Sequence, residues 1–333
     1  MLDRELVEAV KLAREAGAIL MEVYATDFDV EYKGEQNPVT VADRRANEHL
    51  VSRLREAFPH DGVVAEETAD TSDALRRGRC WYIDPLDGTK EFIKKNGEFS
   101  VMIGLAIDGE ARLGVVYKPV DDTLYRGVVG DSAFREVGAK TYALGVTKTS
   151  VKEELRLVVS RSHRSEATGE FVDKVGIQNE TKSGSVGLKV GLIAQRDADL
   201  YLHLSEHSWA WDACAPEAIL RAAGGRFTDL AGDAFEYGGE DLRNSRGILA
   251  CNNEETFQAV LPAAREVATG LGLVTASESS DAGSSDAEPS DAEPSDAGSS
   301  DAGSSDAGSS DAGSSDAGSS DAGSSDAGSS DAG

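Results

Sequence analysis

Asp84 and Asp87 stand three residues apart on either side of a Pro-Leu pair, and the chain runs straight on into Gly88-Thr89. Proline stiffens such a loop, so both carboxylates could face one point. Oxygen ligands of this kind suit a hard cation, and magnesium commonly takes one or two carboxylates together with substrate phosphate. Gly88 allows a phosphate to approach the backbone closely, and Thr89 supplies a hydroxyl. Taken alone, the segment also reads as a turn, because Pro, Asp and Gly are turn formers. Its position argues for more. It follows the apolar run Cys80-Trp-Tyr-Ile83, and sites collect where apolar strands of such sheets end.

Three further acidic elements accompany it. Glu66-Glu67 ends the apolar run Gly62-Val-Val-Ala65. Asp212 follows Trp211 at the start of an expected helix, and Asp43 opens another after Asn37-Pro-Val-Thr-Val-Ala. Separately, Glu66-Glu67 reads equally as a solvated loop, and each aspartate as a helix cap. Four carboxylates crowded together without a cation would repel and raise one another's pKa, so a purely structural role for all of them is disfavoured. Bound cations explain the pattern: one lowers the pKa of water towards neutrality and a second neutralises a leaving oxygen. Such chemistry requires neither a Ser-His-Asp triad nor a cysteine nucleophile.

The elements that must position these groups follow from periodicity. Apolar residues from Leu2 to Met21 recur at helical spacing, which predicts an opening helix. Phe28-Asp-Val-Glu-Tyr-Lys-Gly alternates like a strand. Residues 41–57 form a second helix, with Ala42, Ala46, Leu50 and Leu54 on one face. Short strands follow at 62–65 and 80–83, the latter ended by Asp-Pro. Strands at 99–107 and 111–117 meet at Asp108-Gly109, a strong hairpin signal. Two more strands are expected at 124–129 and 133–137. From 151 onward strands and helices alternate: strands at 155–160, 200–204, 226–229 and 247–250, helices at 165–175, 187–194, 211–223 and 254–270. This is an α+β half (residues 1–150, an antiparallel sheet carrying most of the candidate ligands) followed by an α/β half (151–275, with Asp212).

Residues 276–333 repeat Ser-Ser-Asp-Ala-Gly with no aromatic, branched aliphatic or basic residue. Nothing there offsets the entropy of ordering, so this acidic tail is expected to be disordered. It carries 14 acidic residues; without it, 46 acidic and 33 basic residues leave a net of −13, against −27 for the whole chain. An acidic body argues against nonspecific binding to nucleic acid or to an anionic membrane. Cys80, Cys214 and Cys251 are odd in number and lie far apart, which argues for free thiols over a disulfide framework or a zinc site. The charged, amphipathic first residues are no signal peptide, and no apolar run approaches membrane-spanning length. The expected location is the cytoplasm, and a homodimer is compatible with this reading.

The set of motifs resembles the inositol monophosphatase-like superfamily: the Glu66-Glu67 pair, Asp84-Pro-Leu-Asp87-Gly-Thr89, and Trp211-Asp212 followed by Gly224-Gly225, in that order. The resemblance spans residues 5–270. Within the superfamily the chain is similar to the 3'(2'),5'-bisphosphate nucleotidase (CysQ-like) branch. There Asp-Gly-Thr runs on into Lys-Glu-Phe and Asn-Gly-Glu-Phe, as it does here from Asp87 to Phe99. Ser160-Arg-Ser-His163 and Trp211-Asp-Ala-Cys-Ala-Pro-Glu217 fit the same branch. The resemblance implies a layered αβαβα sandwich of the sugar-phosphatase type. It implies two or three Mg2+ held by Glu66, Asp84, Asp87 and Asp212 with the Leu86 carbonyl. Asp43 and Thr89 would form a hydrogen-bonded pair that orients and deprotonates the attacking water, with Glu66 also catalytic. Gly88 and Thr89 would hold the scissile phosphate; Ser160, Arg161, Ser162, His163 and Lys189 would hold the nucleoside end. The family more often has a tighter Ser-to-Lys spacing than Ser185 to Lys189, so Ser185 is not carried over. The implied substrate is a small phosphorylated nucleotide, foremost adenosine 3',5'-bisphosphate, with lithium inhibition and a place in sulfur assimilation. The alternative is an inositol monophosphatase or related sugar phosphatase. A third reading, a binding protein that has lost turnover and works through its tail, is weakened because every ligand position carries the expected residue type.

Overall fold

A computed structural model describes residues 2–33, 37–68, 74–75, 77–162, 164–239 and 241–275. The acidic repeat at 276–333, expected to be disordered, lies outside the described residues.

Helix α1 (Asp3–Tyr24) buries Ala9, Leu12, Ala13, Ala16, Leu20 and Val23 along one face. Strand β1 (Val30–Lys33) pairs antiparallel with β2 (Asn37–Thr40), which lacks the alternation that would have marked it. Helix α2 (Val41–Ala57) buries Ala42, Ala46, Leu50 and Leu54, the face its periodicity predicts.

Seven strands then form one sheet in chain order: β3 (Gly62–Ala65), β4 (Arg79–Asp87), β5 (Ser100–Ile107), β6 (Glu110–Lys118), β7 (Thr123–Val128), β8 (Ala133–Val137) and β9 (Lys140–Ala143). All neighbours are antiparallel except β3 and β4, which run parallel. The expectation of a wholly antiparallel sheet is thereby corrected, and the long connection at 66–78 provides the return that parallel neighbours need. Between β5 and β6, Asp108 and Gly109 take φ of 52° and 82°, the left-handed pair a two-residue hairpin turn demands. Strand β4 does not stop at Ile83. It continues through Pro85 to Asp87, with a register shift between Asp84 and Asp87 and with Asp87 opposite Ser100. Proline lacks a ladder donor and is confined within sheets to edges and bulges; here it occupies the bulge. The five-residue helix α3 (Thr89–Ile93) starts one residue later.

The second sheet has the order β11-β10-β12-β14-β13. Its strands are β10 (Arg156–Ser160), β11 (Asn179–Ser183), β12 (Leu200–His203), β13 (Arg226–Thr228) and β14 (Ile248–Cys251). β10 is parallel to β11 and β12, whereas β14 is antiparallel to β12 and β13. The edge strand β11, Asn-Glu-Thr-Lys-Ser, buries only Ser183, so it carries no apolar signal. The helices of this half are α4 (Glu166–Val175), α5 (Val186–Ala194), α6 (Ala210–Ala222) and α7 (Glu254–Gly270).

Helices α1 and α2 cover one face of the seven-stranded sheet. α5 and α6 lie between the two sheets, and α4 and α7 close the far face of the smaller one. The result is the αβαβα stack. A row of glycines sets how closely α6 approaches. Gly104, Gly114 and Gly127 are direct neighbours across β5, β6 and β7. A Cβ at Gly114 would fall 2.1 Å from the Ala215 carbonyl oxygen, and one at Gly104 2.7 Å from the Ala215 nitrogen. Only bare backbone lets the helix lie this near the sheet, and Asp212 sits in its first turn.

Candidate active site

The end of β4 carries the chemistry. Asp84 is buried and its Oδ1 accepts a hydrogen bond from the Leu86 N–H at 2.9 Å. Burial pushes its carboxyl well above the usual carboxylate range, and the charges of Glu66, Asp87 and Asp212 push it further. Asp87, also buried, accepts from the Ser185 hydroxyl at 2.5 Å and from the Gly187 N–H at 3.0 Å. Burial raises its pKa; Ser185, Lys189 and Gly187 oppose the rise. In the first turn of α6, Asp212 accepts from the Trp209 N–H at 2.7 Å. Burial, then the charge of Asp87, brings its carboxyl up to about 7.

The four carboxylates are thus electrostatic neighbours. Among the described residues, however, no three His, Cys, Asp or Glu side chains close into a ready-made cation cage. Asp84, Asp87 and Asp212 each accept these bonds on one carboxylate oxygen, Oδ1, Oδ2 and Oδ2 respectively. The donor set, carboxylates plus backbone carbonyl and all of it hard oxygen, fits Mg2+ or Ca2+ and not a thiolate-seeking metal. Lys189 is the buried cation nearest this charge. It lies in α5 with its Nζ 4.7 Å from the centroid of the Tyr201 ring. Burial lowers its pKa against the pull of Asp87, Glu91, Asp212 and Glu98.

Asp43 and Thr89 meet here although 46 residues separate them: the Thr89 hydroxyl lies 3.2 Å from Asp43 Oδ1 and 3.2 Å from the Leu86 carbonyl. The other oxygen of Asp43 accepts from the backbone N–H and hydroxyl of Thr40 at 2.8 and 2.6 Å. Asp43 is therefore a helix-capping residue and a partner of Thr89 at once, a dual role that Thr40-x-x-Asp43 signals as a capping box. Burial and then the charge of Glu67 raise its pKa, against the Thr40 bonds. Gly88 caps α3 with φ of 97°, and a Cβ there would sit 3.0 Å from the Glu98 carbonyl, so both the backbone conformation and the close approach favour glycine. Glu66 follows β3, anchored by its N–H to the Ile83 carbonyl at 3.1 Å.

The residues expected at the nucleoside end are placed differently from one another. Arg161 clasps Glu98 with two bonds of 2.5 and 2.6 Å. Ser162 donates to Glu91 at 2.5 Å and receives Lys94 at 2.8 Å. Ser160 ends β10, Lys189 is buried and interacts electrostatically with Asp87, and His163 lies outside the described residues. Ser185, set aside in the sequence, binds Asp87 directly. It holds φ of 57°, a costly conformation for serine, and its Oγ also lies 2.9 Å from Ser100 Oγ. Its only sequence signal was the Gly-Ser step before an apolar helix, a plain N-cap pattern.

The chain matches the model of the inositol monophosphatase family over residues 1–269. It is 37% identical over 235 residues to the 3'(2'),5'-bisphosphate nucleotidase CysQ of Salmonella typhimurium, a match that covers 70% of this chain and 93% of that protein. It is 29% identical over 265 residues to the inositol monophosphatase 1 of Xenopus laevis, covering 74% and 87% respectively. Among solved structures, CysQ from Bacteroides thetaiotaomicron superposes with a TM-score of 0.65 at 29% identity, over 75% of this chain and 98% of that one.

Proposed function

The chain belongs to the inositol monophosphatase family and is a phosphoric monoester hydrolase; from that premise we propose that it is a magnesium-dependent 3'(2'),5'-bisphosphate nucleotidase converting adenosine 3',5'-bisphosphate to AMP and phosphate. One observation carries the choice of branch. The two segments that mark the nucleotidases bind one another: Glu91 of Lys-Glu-Phe accepts Ser162, and Glu98 of Asn-Gly-Glu-Phe accepts Arg161. They form one joined wall between the end of β10 and α3.

Glu66, Asp84, Asp87, Asp212 and the Leu86 carbonyl would hold the magnesium ions. Bound there, magnesium activates water and neutralises the departing oxygen. The chain's own groups do the rest. Gly88 and Thr89 receive the scissile phosphate. The Thr89 hydroxyl, between Asp43 and the Leu86 carbonyl, orients the attacking water, and Asp43 takes its proton through that hydroxyl. The water oxygen then bonds to phosphorus as the bond to the ribose oxygen breaks, and the ribose oxygen is protonated from solvent. Lys189 balances the carboxylates. No described helix is long and apolar enough to cross a membrane, and the reading places the enzyme in the cytoplasm.

A substrate panel tests the proposal. Purified protein with Mg2+ should release phosphate from adenosine 3',5'-bisphosphate faster than from inositol monophosphate, and chelation should stop both. Faster release from inositol monophosphate would move the chain to the branch of its Xenopus relative.

A further inference from the structure

Resting on that nucleotidase reading, we infer that Trp209 is the stacking platform for the planar base of the nucleotide, with Arg243 as its flanking cation. Trp209 is 39% exposed. Its ring lies parallel to Trp211, with centroids 5.2 Å apart and 7° between planes. The Arg243 guanidinium stands over the ring, 6.0 Å from its centroid; it is 55% exposed and pairs with Asp241 at 3.8 Å.

This exposed ring is held rigidly. Asn244 donates to the Trp209 carbonyl at 2.6 Å and to Ser208 Oγ at 2.9 Å. Residues 209 and 243 form an antiparallel bridge. The Trp209 N–H is bound by Asp212, so the platform is joined directly to a carboxylate of the candidate site. A preordered aromatic face loses little freedom when a ligand stacks on it. Stacking suits any nucleobase and offers nothing comparable to a cyclitol, which has no π-face. Arg161 and Ser162 are already committed to Glu98 and Glu91, whereas the Trp209 ring keeps exposed surface beside its contacts with Trp211 and Arg243.

The test compares wild type, Trp209→Ala, Trp209→Phe and Arg243→Ala. For Trp209→Ala, the ratio of kcat/KM on adenosine 3',5'-bisphosphate to kcat/KM on inositol monophosphate should fall about tenfold, mainly through KM, and Trp209→Phe should restore most of it. AMP should bind Trp209→Ala about tenfold more weakly than wild type by calorimetry, with a smaller loss in Arg243→Ala. An unchanged substrate ratio with unchanged AMP affinity would overturn the assignment, as would a Trp209→Phe variant no better than alanine. A wild type that binds AMP through Trp209 yet fails to cleave the bisphosphate would sink the nucleotidase reading and leave the platform standing.

Discussion

Asp84 and Asp87 show why the same residue type can be a burden and a tool. Both are buried, and burial raises the pKa of each; around Asp84 the charges of Glu66, Asp87 and Asp212 add to the rise, whereas Lys189 offsets it at Asp87. A divalent cation would relieve that repulsion. Asp84→Asn and Asp87→Asn should each reduce turnover beyond the roughly 10–100-fold typical of outer partners of a metal, while far-UV circular dichroism stays that of wild type. Mg2+ should raise the melting temperature of wild type by binding only the folded state, and that rise should vanish in Asp84→Asn. Near-normal turnover or an intact Mg2+ shift in the variant would remove Asp84 from the site. Thr89 belongs to the same scale. Its motif marked the hydroxyl, but the bond to Asp43 joins groups from two distant segments.

At the scale of elements, α6 does most to assemble the site, and its seat is the glycine row on β5, β6 and β7. Gly114→Ala would place a methyl against the Ala215 carbonyl. Helix and sheet backbone must then separate, at a cost of about 1–3 kcal/mol or more. The first turn should shift with the helix, and a displacement of about 1 Å near a reacting centre can cost about a hundredfold in rate. A variant equal to wild type in melting temperature and kcat would refute the tight seat. The same helix buries Glu217 against the Tyr237 hydroxyl at 2.6 Å and Arg221 at 3.0 Å. Burial lifts this carboxyl from 4.5 to about 7. A group with a folded pKa above its unfolded one binds extra protons when folded, so stability falls as pH rises between those values. Glu217→Gln should therefore flatten the loss between about pH 5 and 7, by an amount on the order of 2 kcal/mol. Parallel pH–stability curves for variant and wild type would contradict this. Helix positions and faces were legible from 3.6-residue periodicity. β2 and β11 were not, because their residues bury too little apolar surface to leave a pattern. Nor was the length of β4, where a bulge carries proline through a strand that its dipeptide had seemed to end.

Across the whole molecule, the two sheets are joined by α5 and α6 and, near the site, by Arg161–Glu98 and Ser162–Glu91. Such joints span 63 and 71 residues of chain, a distance at which no local pattern reports contact. The acidic repeat stands apart from this arrangement in composition. Deleting residues 277–333 should leave the specific activity and melting temperature at wild-type values; a severalfold fall in activity would give the tail a catalytic part.

Residue type, order and spacing alone marked a set of carboxylates that a family resemblance reads as metal ligands, the helices and most of the strands, and a tail with no aromatic or branched aliphatic residue, because hydrophobic period and short motifs are local properties. Only the tertiary structure decided that Ser185 belongs beside Asp87, and that Arg161 and Ser162 are bound to glutamates. These pairings join segments far apart in the chain, and only the packing of the two sheets and their helices brings such segments together.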